Sequence, residues 1–178
     1  MIQKNFSNGV KNVLIGAEKK IQVLGYKELL PEDIFLEILE QAKGGIKEIF
    51  TLYGVDTKLT LEILERGIMN TDTKKRKGVY SGMHQRSKDI LLSALKIAAG
   101  HSKSEATLED LILALMTQDN WLSNFLEYIG INPADIETNL LDLTQMGVKD
   151  GLGKGKGQQI QGNSDSIEEL FGNLADNI

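Results

Sequence analysis

Cysteine is absent from the 178 residues, which excludes disulfides, thiolate metal sites and a cysteine nucleophile together. Histidine is scarce: with only His84 and His101 present, a zinc site would need carboxylates to complete it. Long apolar runs are missing as well. No stretch of 18 apolar residues occurs, and the opening "MIQKNFSNGV" lacks the apolar core of an export signal, so no membrane span and a cytoplasmic location are expected. Nor is there an excess of basic residues. The net charge of −5 argues against nucleic acid as the main partner. What is left is ordinary globular composition, 41% hydrophobic and 25% charged, enough for one domain or two small ones. A fold of this size hides roughly 70% of its unfolded-chain surface and needs no covalent staples.

The chain repeats itself. "TLEDLILALM" at 107–116 restates "LPEDIFLEIL" at 30–39, 77 positions earlier, and self-similarity of this kind governs the fold. Upstream, Val10, Val13, Leu14, Ala17, Ile21 and Leu24 form an apolar stripe at helical spacing. It returns as Ile90, Leu91, Ala94 and Ala98, with Ser87 at its start. Pro31 suits a first helical position, and Thr107 with Asp110 has capping-box spacing. Ile34, Phe35, Ile38 and Leu39 then align with Leu111, Ile112, Leu115 and Met116, a face dense enough for a central helix packed on more than one side.

One residue drops out, and the offset becomes 76. Ile46, Ile49, Phe50 and Tyr53 match Leu122, Phe125, Leu126 and Ile129 as a third helix. Each ends in a glycine suited to the left-handed stop, Gly54 or Gly130, followed by an apolar residue that packs back. Asp56 and Asn132 then cap a fourth helix, helped by Pro133. No stretch alternates with period two, so no strand is expected. A four-helix unit of about sixty residues is uncomfortable alone; packed on its twin it makes one domain.

The joint at 67–82 is bounded by glycines and poor in apolar periodicity. Beyond Gly147 the composition changes. "GVKDGLGKGKGQQIQGNS" holds six glycines and reads as a flexible linker. The closing "SIEELFGNLADNI" recovers helical periodicity through Ile167, Leu170, Phe171, Leu174 and Ile178, yet so short a helix is marginal alone. A chain cut at a domain boundary is expected.

These residues carry a resemblance. "FSNGVKNVLIGAEKKIQVLG" with "PEDIFLEIL", then "RSKDILLSALKIAAG" with "LEDLILALM", and the turns "YGVD" and "IGIN" resemble the Clp N-terminal repeat. That repeat occurs twice at the front of the ClpA, ClpB and ClpC ring unfoldases of the AAA+ class. The resemblance implies an all-α fold of two tandem four-helix Clp-N repeats packed with pseudo-twofold symmetry. The domain spans 1–146, with repeat one at 6–66 and repeat two at 83–146. A linker follows at 147–166, and 167–178 starts a helix of the next ATPase module. It further implies a substrate- and adaptor-binding domain that is not an enzyme by itself. The chain would need no cofactor; ATP and magnesium would belong to the absent ATPase modules. Its partners would be unfolded or marked proteins, adaptor proteins and, through the parent, a Clp peptidase. The fragment would be a monomer and the parent a hexamer.

Motifs for chemistry are few. The Gly-Lys stretch at 151–157 lacks the glycine spacing and the Ser or Thr of a phosphate loop. "KKRK" at 74–77 reads as a solvated loop, although clustered cations also suit phosphates. His84 and His101 lie about 25 Å apart at helical rise, too far to share a metal; surface or cap roles are expected.

Glu32 and Glu109 are the most interesting polar residues. Both fall in first turns, where the helix dipole favours an acid. In ClpC-like relatives the glutamates at these positions hold the guanidinium of phosphoarginine, and neighbouring helix starts hold its phosphate. A carboxylate suits that task because it accepts two parallel N–H bonds. Two departures stand out. Asp33 and Asp110 follow the glutamates where the family has His, adding charge that repels phosphate. "MHQRS" replaces a Thr-Pro opening, so Ser7 keeps a hydroxyl cap, His84 takes its twin's place, and Arg86 is a compensating phosphate partner. Generic peptide or adaptor docking stays open beside phosphoarginine. Tyr26, Leu29 and Leu30 form an aromatic-aliphatic cluster that is either an exposed docking patch or a plug between the repeats. Two wider alternatives also stay open: a freestanding adaptor of the same fold, and a helical nucleic-acid-binding module using "KKRK".

Overall fold

The apolar stripe beginning at Val10 winds into α1 (Asn8–Leu24), started by Ser7, whose Oγ accepts the Val10 N–H, and stopped by left-handed Gly25. A computed structural model describes residues 5–66 and 73–153. The rest of the first unit follows as α2 (Pro31–Gln41), α3 (Gly44–Leu52) and α4 (Thr57–Glu65). A single helical turn, α5 (Thr73–Arg76), precedes the second unit: α6 (Gln85–Gly100), α7 (Leu108–Thr117), α8 (Asn120–Tyr128) and α9 (Pro133–Gln145). Helices therefore fall at matching places in the two copies. The stops match too. Gly54 and Gly130 take positive φ, and Val55 and Ile131 donate N–H bonds of 2.8 Å back to Phe50 and Leu126. Asp33 and Asp110 each accept the N–H of the residue before their own helix, Leu30 at 2.8 Å and Thr107 at 2.9 Å. Leu30 carries no acceptor, so only Thr107 sits in a full-box sequence.

Strands were not expected, yet two occur: β1 (Glu28–Leu29) and β2 (Gly82–Met83), paired in parallel with Leu29 opposite Met83. Two residues are too few to show an alternating pattern, which hid them in the sequence. A parallel bridge between Phe6 and Ala106 repeats the arrangement. Ala106 stands 77 positions after Leu29, and Met83 stands 77 after Phe6. The flanking bonds obey the same rule: His84 donates to the Leu29 carbonyl at 3.0 Å, and Ser7 to that of Ala106 at 2.9 Å. Each copy thus hydrogen-bonds the other copy's entry to its central helix.

Both units share one hydrophobic core. Every residue from Leu108 to Met116 on α7 is buried, the acids Glu109 and Asp110 of its first turn included, and the apolar remainder is that of a helix packed on more than one side. Phe35 of α2, fully buried, crosses to the other copy. Its ring meets Trp121 and Phe125 edge-on at 5.8 and 6.1 Å, and Phe50 of its own copy at 5.7 Å. The stripe of α1 is buried only as far as Ile21; Leu24 is half exposed.

Two further expectations are corrected. Residues 148–153, placed in a flexible linker, fold back as a strap against α1, α3 and α7. The remainder of that segment and the helix at 167–178 lie outside the described residues. "KKRK" is not wholly a solvated loop either. Arg76 turns inward to pair with Asp33, and its guanidinium lies 4.1 Å above the Tyr26 ring.

Candidate functional site

Two helix starts, α1 and α7, converge on the strap, and together they build a notch of donors beside an acceptor. Ser7 Oγ donates to Asp150 Oδ1 at 2.6 Å, and the Leu108 N–H reaches the same oxygen at 2.9 Å. Gly9 N–H donates to Oδ2 at 3.1 Å. The carboxylate therefore sits where helix dipoles and unpaired N–H groups favour an anion. Glu109, fully buried in the first turn of α7, supplies the acceptor half. Its two oxygens receive the Asp150 and Gly151 N–H groups at 2.9 and 2.7 Å. Burial raises the pKa of Glu109 above the ordinary carboxylate range, and these bonds oppose the shift.

At the 77-residue offset the second notch is built differently. Pro31 replaces Leu108 and has no N–H to give. Arg86 replaces Gly9 and puts a guanidinium where the other notch takes the strap. It donates to Glu32 Oε1 at 2.9 Å and grips Asp119 with two bonds of 2.7 and 2.9 Å. Burial raises Glu32's pKa against Arg86's pull, whereas Arg86's hydrogen bonds hold Asp119 below its usual value. Arg86 itself is pushed further up, chiefly by its bonds to Asp119. Arg86, expected as a partner for bound phosphate, directs Nε and Nη2 to protein carboxylates. His84 caps α6 by accepting the Arg86 N–H at 3.0 Å, and His101 sits at that helix's C-terminal end.

The apolar candidates divide. Leu29 is fully buried, so it fills the joint between the repeats and is not an exposed docking residue; β1–β2 pairing draws it inward. Tyr26 and Leu30 are half-buried, Tyr26 beneath the Arg76 and Lys77 cations. Exposed apolar surface gathers elsewhere. A cleft of about 500 Å³ between the end of α1, α2 and α4 is lined by Ile21, Val23, Leu24, Leu36 and Leu61. Val23 is 88% exposed, Leu24 50% and Leu61 41%. Lys19, Lys20 and Glu37 stand at its edge, and Lys20 pairs with Glu37 at 2.5 Å.

The strap, Asp119 and this cleft escaped sequence reasoning. Val23 alone left a trace, an apolar residue outside the α1 stripe. Among the described residues no cluster of three His, Asp or Glu side chains is placed to hold a metal, and no helix is long and apolar enough to cross a membrane.

This geometry defines a mostly helical domain of two four-helix units locked by reciprocal main-chain bonds. The fold is that of the N-terminal domain of Clp-type chaperones. It resembles the N-terminal domain of the caseinolytic protease associated chaperone ClpD from Arabidopsis thaliana, with TM-score 0.65 and 14% identity over 82% of this chain and 97% of that one. It is equally similar to the Hsp104 N-terminal domain from Candida albicans, with TM-score 0.66 and 13% identity over 87% of this chain and 100% of that one. No family model matches the sequence, and no curated protein matches it.

Proposed function

We propose that the chain is a docking domain of a Clp-type protein unfoldase, without catalysis of its own, which captures apolar segments of unfolded clients or of adaptor proteins. The observation that carries this reading is the cleft at Val23, Leu24 and Leu61. Val23 and Leu24 stand open at the end of α1, whose Val10, Val13, Leu14, Ala17 and Ile21 are buried, and Leu61 stands open beside them on α4; contiguous exposed apolar surface of this kind marks an interaction site. Tethered to a motor, such a domain works by raising the client's effective concentration near the translocating machinery. The test is binding of a permanently unfolded protein, reduced and carboxymethylated, followed by fluorescence anisotropy. Val23→Asp leaves the fold intact and weakens binding at least tenfold; equal binding by wild type and variant overturns the assignment to this cleft.

A second reading draws support from the Glu109 notch. Donors for an anion lie beside a carboxylate that accepts two N–H groups, and phosphoarginine offers this pairing in one side chain. Only the Glu109 notch keeps both halves, since Pro31 and Arg86 alter the one at Glu32. Titration with phosphoarginine, with arginine and inorganic phosphate as controls, tests it through the amide shifts of Gly9 and Leu108.

A further inference from the structure

The Glu109 notch is filled by the chain itself. Asp150 supplies the anion, and the N–H groups of Asp150 and Gly151 supply the fork that Glu109 accepts. The fit is built into other residues. A Cβ on Gly9 would overlap the Asp150 carboxylate, and one on Gly44 would overlap the Gly151 carbonyl. Gly151 itself has φ +80° and lies against the Lys43 carbonyl, where no side chain fits. Gly45 N–H closes the contact at 2.8 Å to the Gly151 carbonyl. The internal repeat makes the choice of occupant legible: where the Glu32 notch carries Arg86, its counterpart carries Gly9 and admits the strap.

The hold is polar. Val148 and Leu152 are only half-buried, so little apolar surface secures the strap, and water or a ligand can replace each bond it makes. A cleft of about 390 Å³, lined by Gly9, Leu108 and Asp150 together with Lys43, Lys47 and Lys149, opens beside it. An anionic ligand thus has a path to the notch past Lys43 and Lys47, with Glu40 also on the wall and Lys149 paired with Glu105.

We infer that the 148–153 strap is an autoinhibitory internal ligand, which must leave the Glu109 notch before an external anion carrying paired N–H donors can bind there. The inference rests on the second reading above, with phosphoarginine as the probe. Competition lowers the apparent affinity by the fraction of molecules in which the notch is open. Ligand binding and strap release are then reciprocal.

Gly151→Ala tests this without altering a notch side chain. In the full chain the variant's Asp150 and residue-151 amides exchange hydrogen faster while α7 core amides stay protected, and phosphoarginine binds at least tenfold more tightly than to wild type. Asp150→Asn, which keeps the backbone and removes the charge, shifts affinity in the same direction if the alanine variant folds poorly. Equal binding by wild type and the variants overturns the autoinhibition and leaves the notch as a recognition site. No binding to any of them, with the strap shown to be released, overturns both.

Discussion

Arg86 joins three elements through two carboxylates: Glu32 on α2, Asp119 at the cap of α8, and its own α6. Glu32 is 3% exposed, so removing the guanidinium leaves a buried acid without its partner. A fully buried pair broken in this way costs roughly 3–5 kcal/mol. Arg86 is 37% exposed, which brings the expectation for Arg86→Ala down to about 2 kcal/mol at neutral pH. The pH dependence has a definite sign. Burial places Glu32's pKa above 4.5 in the fold, so the stability linked to its protonated form is complete below 4.5 and is lost as pH rises through the raised value. Arg86 limits that loss. The difference between wild type and Arg86→Ala in urea denaturation therefore widens from pH 4 to 7. A difference independent of pH would assign Arg86's contribution to Asp119 alone, whose depressed pKa leaves it charged across that range.

At the scale of elements, α2 and α7 show what periodicity reveals. Their apolar faces predicted central helices, and the structure buries those faces except at Leu39, which is only partly buried. Phe35 is the critical contact of α2, touching aromatic rings of both units. Phe35→Ala removes a fully buried ring and leaves a cavity, at an expected cost of about 3–5 kcal/mol in urea denaturation. A cost under about 1 kcal/mol would mean that α2 and α8 close the gap by sliding together. The strap was illegible for physical reasons. Its glycines lower apolar content and mimic a linker, while their actual work is to let backbone approach Lys43, Gly45 and Glu109. Asp150 meets Ser7 across 143 positions, a distance at which no local pattern signals a cap. Leu29 was ambiguous because its burial depends on a two-residue strand from the other copy. Glu32 and Glu109 were found as a pair, but their different partners follow from Arg86 against Gly9 and from Leu108 against Pro31, differences that acquire meaning only when the notches are assembled.

Across the whole molecule, the reciprocal bridges and the shared aromatic cluster make each unit depend on the other. Residues 6–66 alone would lose the Phe6–Ala106 bridge, the β1–β2 pair and the Trp121 and Phe125 rings against Phe35. They would also expose core surface that a unit of about sixty residues cannot spare. The full chain is therefore expected to unfold in one cooperative step. Trp121 is the only tryptophan and stands at the junction of the units, stacked on Phe125 at 5.4 Å, so its fluorescence reports their contact while circular dichroism reports helix content throughout. The two urea curves should coincide, the equilibrium test for a two-state transition. A fragment covering 1–81 should show no cooperative transition of its own. Separated midpoints, with fluorescence changing before helix is lost, would instead make the junction the weakest part of the domain and the two units independent folding bodies.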